Sequence, residues 1–100
     1  MIGRMNDWRV LIEENIGRLD RKEWQISDIY QVKGGREEAR SIAYELAMRH
    51  APKHPVTEKE RVVYRINEDM WLTMITGATS RYHYRVTVAE LFTRTNAPKE

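Results

Sequence analysis

A helical stripe flanked on both sides by alternating runs leaves this 100-residue chain few architectures. Ala39, Ile42, Ala43, Leu46, Ala47 and His50 recur at the spacing of one helix face. Lys33-Gly34-Gly35 is a turn signal ahead of it, and Glu37 and Glu38 place two acids at the positive end of the helix dipole. Pro52 and Pro55 stop it, because neither donates a backbone hydrogen bond and each disfavours helical geometry in the preceding residue. The pattern predicts a helix over 36–50.

Before the helix, Trp24, Ile26, Tyr30 and Val32 keep a period of two with Asp28 as the exception, which predicts a strand. Trp8, Val10 and Ile12 also alternate, although Trp8, Leu11 or Ile12, Ile16 and Leu19 fit a helical stripe as well. The strand reading pairs this segment with the next as a hairpin through Gly17 to Lys22. After the Pro-rich connection, strands are expected at about 61–66, 70–75 and 81–88, and loop length fixes how they pair. A three-residue loop, Asn67-Glu68-Asp69, sets Ile66 opposite Met70, Tyr64 opposite Leu72 and Val62 opposite Met74. A five-residue loop, Thr76 to Ser80, sets Met74 opposite Tyr82 and Leu72 opposite Tyr84. All these pairs are apolar or aromatic, so this is the face expected to receive the helix.

Thr87-Val88-Ala89-Glu90 matches a capping box and predicts a short terminal helix through Leu91 and Phe92. Residues 95–100 read as a frayed tail behind one domain spanning 1–94. The expected fold is therefore α+β: an antiparallel sheet of about five strands with one amphipathic helix on one face, in the order β-β-α-β-β-β. Where the first hairpin joins the last three strands stays open.

Seventeen Lys and Arg against fifteen Asp and Glu leave a net charge of +2, too small for strong long-range attraction to nucleic acid or an anionic membrane. With no cysteine, neither disulfides nor thiolate zinc sites can stabilise the fold. Met1 to Arg9 lacks the apolar core of a signal peptide, and no apolar run approaches the roughly 20 residues of a membrane span. A cytoplasmic protein without membrane contact is the expectation.

The same loop parity leaves a second face with the rows Arg65, Trp71 and Arg85; Val63, Thr73 and His83; and Arg61, Ile75 and Arg81. Arg61, Arg65, Trp71, Arg81, His83 and Arg85 form the candidate binding face. Its structural reading is that arginine stems cover a surface Trp and stack on it. Its functional readings are a protein-partner or self-association surface, and a stacking platform with phosphate-directed donors for single-stranded nucleic acid. His50 and His54 have an i, i+4 spacing, but Pro52 interrupts the helix that would make it a metal site. His50 is instead expected at the negative pole of the dipole, His54 in a solvated loop and His83 on a polar surface. Asp28 would be buried as a catalytic acid unless a local bulge turns it outward. Glu13-Glu14, Glu37-Glu38, and Glu58 with Glu60 read as solvated charge, Gly34-Gly35 as a turn, and Trp8 and Trp24 as partly core. No catalytic, cofactor or metal site follows, and no enzyme is expected.

The Gly-Gly-Arg-Glu-Glu-Ala helix start at 34–39, His50-Ala51-Pro52-Lys53-His54-Pro55, and Gly77-Ala78-Thr79 ahead of Tyr82-His83-Tyr84-Arg85-Val86 resemble a group of small actinobacterial proteins of uncharacterised function. The resemblance covers Trp8 to Leu91 and implies a compartment but no activity. The sequence thus favours a small interaction module that self-associates through a sheet face or edge, with single-strand binding second and an enzyme a distant third.

Overall fold

The computed structural model describes residues 7–17, 21–51 and 57–96. Five strands, β1 (Trp8–Ile16), β2 (Glu23–Gln31), β3 (Glu60–Asn67), β4 (Met70–Thr76) and β5 (Arg81–Glu90), form one antiparallel sheet in the order β2-β1-β5-β4-β3. One helix, α1 (Arg36–Arg49), lies over β1, β5 and β4. This is the α+β succession that the sequence predicts. The first hairpin joins the rest through β1 and β5, and Val10 and Ile12, buried at alternate positions, confirm the strand at 8–16.

The helix begins where expected. Gly34 has φ +130°, and a Cβ there would come within 2.8 Å of Glu38 Cγ, so the turn requires glycine. Glu38 Oε1 accepts a hydrogen bond from the Gly35 N–H at 2.6 Å, satisfying one of the free donors at the helix start. Ala39, Ala43 and Ala47 are fully buried, with Ile42 and Leu46 half-buried beside them. Their small side chains let the helix settle close onto Val10, Ile12, Tyr84 and Val86. The helix ends at His50, whose backbone is extended and whose N–H bonds to the Leu46 carbonyl at 2.9 Å. Pro52 and Pro55 lie outside the described residues.

Side chains of the sheet bond to carbonyls of the last helical turn, including some that the turn itself leaves free. Thr73 Oγ1 donates to the Ala47 carbonyl at 2.8 Å, and Tyr84 Oη lies 2.7 Å from the Leu46 carbonyl and 2.8 Å from that of Ala47. Arg61 donates to the His50 carbonyl at 3.0 Å. At the other end, Arg36 and Arg40 both bind Asp69 in the β3–β4 turn, Arg40 Nε at 2.9 Å.

The strand register differs from expectation at both turns. Tyr64 faces Leu72 and Val62 faces Met74 as predicted, but a bulge beyond Arg65 sets Asn67, not Ile66, opposite Met70. The turn is shorter than expected because Asn67 stays in the ladder, its Oδ1 accepting from the Asp69 N–H at 2.8 Å. The β4–β5 turn is one residue shorter too. Thr76 pairs with Arg81, the Gly77 N–H bonds to the Ser80 carbonyl at 2.8 Å, and Met74 therefore faces His83 while Leu72 faces Arg85. Thr73 with Tyr84, and Ile75 with Tyr82, point at the helix instead. One residue of slip exchanges the faces of a strand.

Two smaller expectations are also corrected. Residues 87–90 continue β5 to Glu90, and no helix forms at Leu91 and Phe92, because Leu91 still bonds through its N–H to the Asp7 carbonyl beside β1. In β2 a bulge at Ser27 opposes Ile12 to Asp28 but Glu13 to Ile26, which sends Trp24, Ile26 and Ile29 to the face away from the helix. Asp28 remains on the helix side, beyond the helix and exposed, its carboxylate accepting from the Ile29 N–H. Residues 95 and 96 carry no regular structure, and the rest of the expected tail lies outside the described residues.

The register has a direct test in urea melts. Ile75→Ala should cost about 2 to 5 kcal/mol as a core deletion, and Leu72→Ala about 1 kcal/mol or less. The reverse order would restore the register expected from sequence.

Candidate functional site

The six residues of the expected binding face do not share a surface. Arg61, Arg65 and Trp71 lie on the helix side of the sheet, whereas Arg81, His83 and Arg85 lie on the other, because the β4–β5 pairing is shifted by one. Trp71 packs against the core, with its ring edge-on to Tyr44 at 5.6 Å between centroids. Arg61 is occupied by Glu58 at 3.0 Å, by Tyr84 Oη at 3.1 Å and by the His50 carbonyl. Arg65 is exposed on β3, an edge strand. The stacking platform between arginines is therefore absent.

The sheet face that the helix leaves open is built differently. Across it run Trp24, Ile26 and Ile29 from β2, Leu11 and Glu13 from β1, His83, Arg85 and Thr87 from β5, Met70, Leu72 and Met74 from β4, and Val62 and Tyr64 from β3. Ile26, Ile29 and Tyr64 are 56%, 51% and 50% exposed, far more than the interior of a folded chain allows. The central charges cancel: Arg85 binds Glu13 bidentately at 2.8 and 3.2 Å, and its guanidinium lies 4.4 Å above the Trp24 ring. Trp24 thus belongs to this open face, while Trp8 packs partly against the core under Arg36.

The face also holds polar atoms that the chain does not satisfy. Asn15 Oδ1, His83 Nε2 and Thr87 Oγ1 are buried without a hydrogen-bond partner among the described residues, and all three side chains sit on β1 or β5 on this side. Each such atom costs about 1 to 3 kcal/mol. His83 borders a depression of about 200 Å³ with Glu60, Val62, Tyr64, Met74 and Arg81. Its burial, then Lys22 and Arg81, hold its pKa below the usual histidine value.

On the helix side the polar groups are satisfied by one another. Glu14, expected as solvated charge, is 4% exposed, because the alternation Val10, Ile12, Glu14 carries it under the helix end. His50 Nε2 donates to Glu14 Oε2 at 3.1 Å, and the Tyr82 hydroxyl donates to Glu14 Oε1. Burial pushes the Glu14 carboxyl up, but its hydrogen bonds, foremost from Tyr82 and then His50, outweigh this and hold it below the usual glutamate value. Burial and the Glu14 carboxylate push the Tyr82 phenol far up, so it remains a donor. A carboxylate closed over by two donors locks the helix end to β1 and β5 rather than presenting an acid or base to solvent. Glu13 and Glu58 are likewise ion-paired, with Arg85 and Arg61. Among the described residues no three His, Cys, Asp or Glu side chains cluster as metal ligands. His54 lies outside the described residues.

No protein-family model, curated protein or solved structure matches the chain, so the functional reading rests on this geometry.

The Glu14 lock sets a pH dependence. Its folded pKa is lowered, so its contribution is present in full above the ordinary glutamate value of 4.5 and is lost as pH falls through the folded value. Urea melts between about pH 7 and pH 3 should show a shallower decline for Glu14→Gln than for the parent chain. Parallel declines would mean that the carboxylate is not held by Tyr82 and His50.

Proposed function

We propose that this protein is a small self-associating interaction module whose binding surface is the open face of the sheet, and that its occupant there is a second copy of the same chain. The observation that carries the reading is the face itself: five strands wide, apolar along β2, β4 and β3 on either side of a polar middle on β1 and β5, and covered by no element among the described residues. Strand and residue spacings give it a footprint of roughly 500 to 600 Å². Two such footprints together reach the roughly 1,000 Å² that a biological interface needs.

Charge favours a like partner. Glu13 pairs with Arg85 and Glu60 offsets Arg81 on this side of the sheet, so with Lys22 beside them each copy brings only a small net charge to the interface. A nucleic-acid strand would need uncompensated positive charge there. Face-to-face packing about a two-fold axis would produce a sandwich with sheets about 10 Å apart, each copy covering the other's exposed isoleucines and tyrosine. Among the described residues no helix is long and apolar enough to cross a membrane. We place the module in the cytoplasm and assign it no catalytic step.

Ile26→Lys combined with Tyr64→Lys adds charge at exposed positions, so the monomer should keep its fold. Light scattering should show the parent chain as a dimer and this variant as a monomer with unchanged circular dichroism. A monomeric parent at about 100 μM, or a variant that still dimerises, would contradict the reading.

A further inference from the structure

Resting on the reading of the open face as the association surface, His83 stands out there as the one group among the described residues that is not ion-paired and changes charge near neutral pH. We propose that His83 makes this association pH-sensitive: two copies join while both imidazoles are neutral and separate as the imidazoles take up protons.

The geometry behind this is local. His83 points from β5 to the open side, opposite Met74, and its Nε2 is already shielded from water without a partner. Neutral imidazole tolerates that setting at the cost of one unmade hydrogen bond. An imidazolium must solvate or bond both ring N–H groups; Nε2 is already cut off from water, and a second sheet laid on the face removes the water that still reaches the rest of the part-buried ring.

The surrounding charges point the same way. Lys22, ahead of β2, and Arg81, on His83's own strand, both act against its charged form. Arg85, the next outward side chain of β5, is neutralised by Glu13 of β1. From β4 the neighbour is Met74, and from β3 the depression is lined by Tyr64 and by Glu60, the carboxylate that could favour an imidazolium. A two-fold partner would return the same groups, bringing a second His83, Arg81 and Lys22 to the interface. The other described histidine, His50, is on the opposite side of the sheet and bound to Glu14.

The sign follows from linkage. Association lowers the His83 pKa below its value in the free chain, so the dimer binds fewer protons than two monomers. Pairing is therefore strongest above the ordinary histidine value of 6.5 and weakens as pH falls through the free chain's lowered value. A difference of about one unit at each of two sites would raise Kd about tenfold to a hundredfold.

Sedimentation velocity on the full chain, over a concentration series at about pH 7.5 and about pH 5.5, measures this directly. The expected result is a dimer that weakens at least about tenfold at the lower pH, with His83→Gln dimerising equally at both. His83→Leu, which keeps the position apolar, serves should the amide not fold. A parent dimer of unchanged Kd across this range overturns the role of His83 and leaves the open-face reading standing. A pH dependence that persists in the His83 variants overturns it as well. A parent that is monomeric at both pH values overturns both.

Discussion

The pairing of Thr76 with Arg81 decides what the two sides of this sheet are. With the turn closed over Gly77 to Ser80, Tyr82, Tyr84, Val86 and Val88 point to the helix together with Ile75 and Thr73 of β4. Leu72, Met74, His83 and Arg85 are left on the other side. The polar lining beneath the helix depends on the same register. Tyr84 and Thr73 reach the Leu46 and Ala47 carbonyls, and Tyr82 reaches Glu14, only because these residues share the inward side.

The helix is consequently held at both ends by groups of opposite character. At its start, Asp69 gathers Arg36 and Arg40 to the β3–β4 turn in a solvent-facing ion-pair network of the kind that is individually weak. At its end, the buried Glu14, Thr73 and Tyr84 bonds are shielded from water, and leaving any of them unmade would be costly. The bonds that are shielded from water thus lie at the helix C-terminus, above strands whose other side belongs to the open face.

Much of this was legible in the sequence. The helix stripe is strong because Ala39, Ala43 and Ala47 recur at helical spacing between Gly34-Gly35 and the following prolines. The Tyr64–Leu72 and Val62–Met74 pairs were also legible, since the bulge that shortens the turn is absorbed beyond Arg65. The β4–β5 register was not, because Met70-Trp71-Leu72-Thr73-Met74-Ile75 is apolar at nearly every position and a period of two cannot choose its inward side. The clearer alternation of β5, with Tyr82, Tyr84, Val86 and Val88 against His83, Arg85 and Thr87, made the inward side of that strand legible, and only the side of β4 that meets it stayed hidden. Glu14 was hidden for another reason: its partners His50 and Tyr82 are 36 and 68 residues away, although its place after Val10 and Ile12 marked it as inward-facing.

The proposed meeting surface of two copies is the face that carries Leu72, Met74 and Ile29. Isotope-filtered NOE spectroscopy on an equimolar mixture of labelled and unlabelled chain observes that contact atom by atom. Intermolecular NOEs should arise from the methyl groups of Leu11, Ile26, Ile29, Leu72 and Met74. They should be absent from Met48 and Ala43 on the helix. Intermolecular NOEs confined to the helix surface, or none at concentrations where the chain is dimeric by light scattering, would contradict the account.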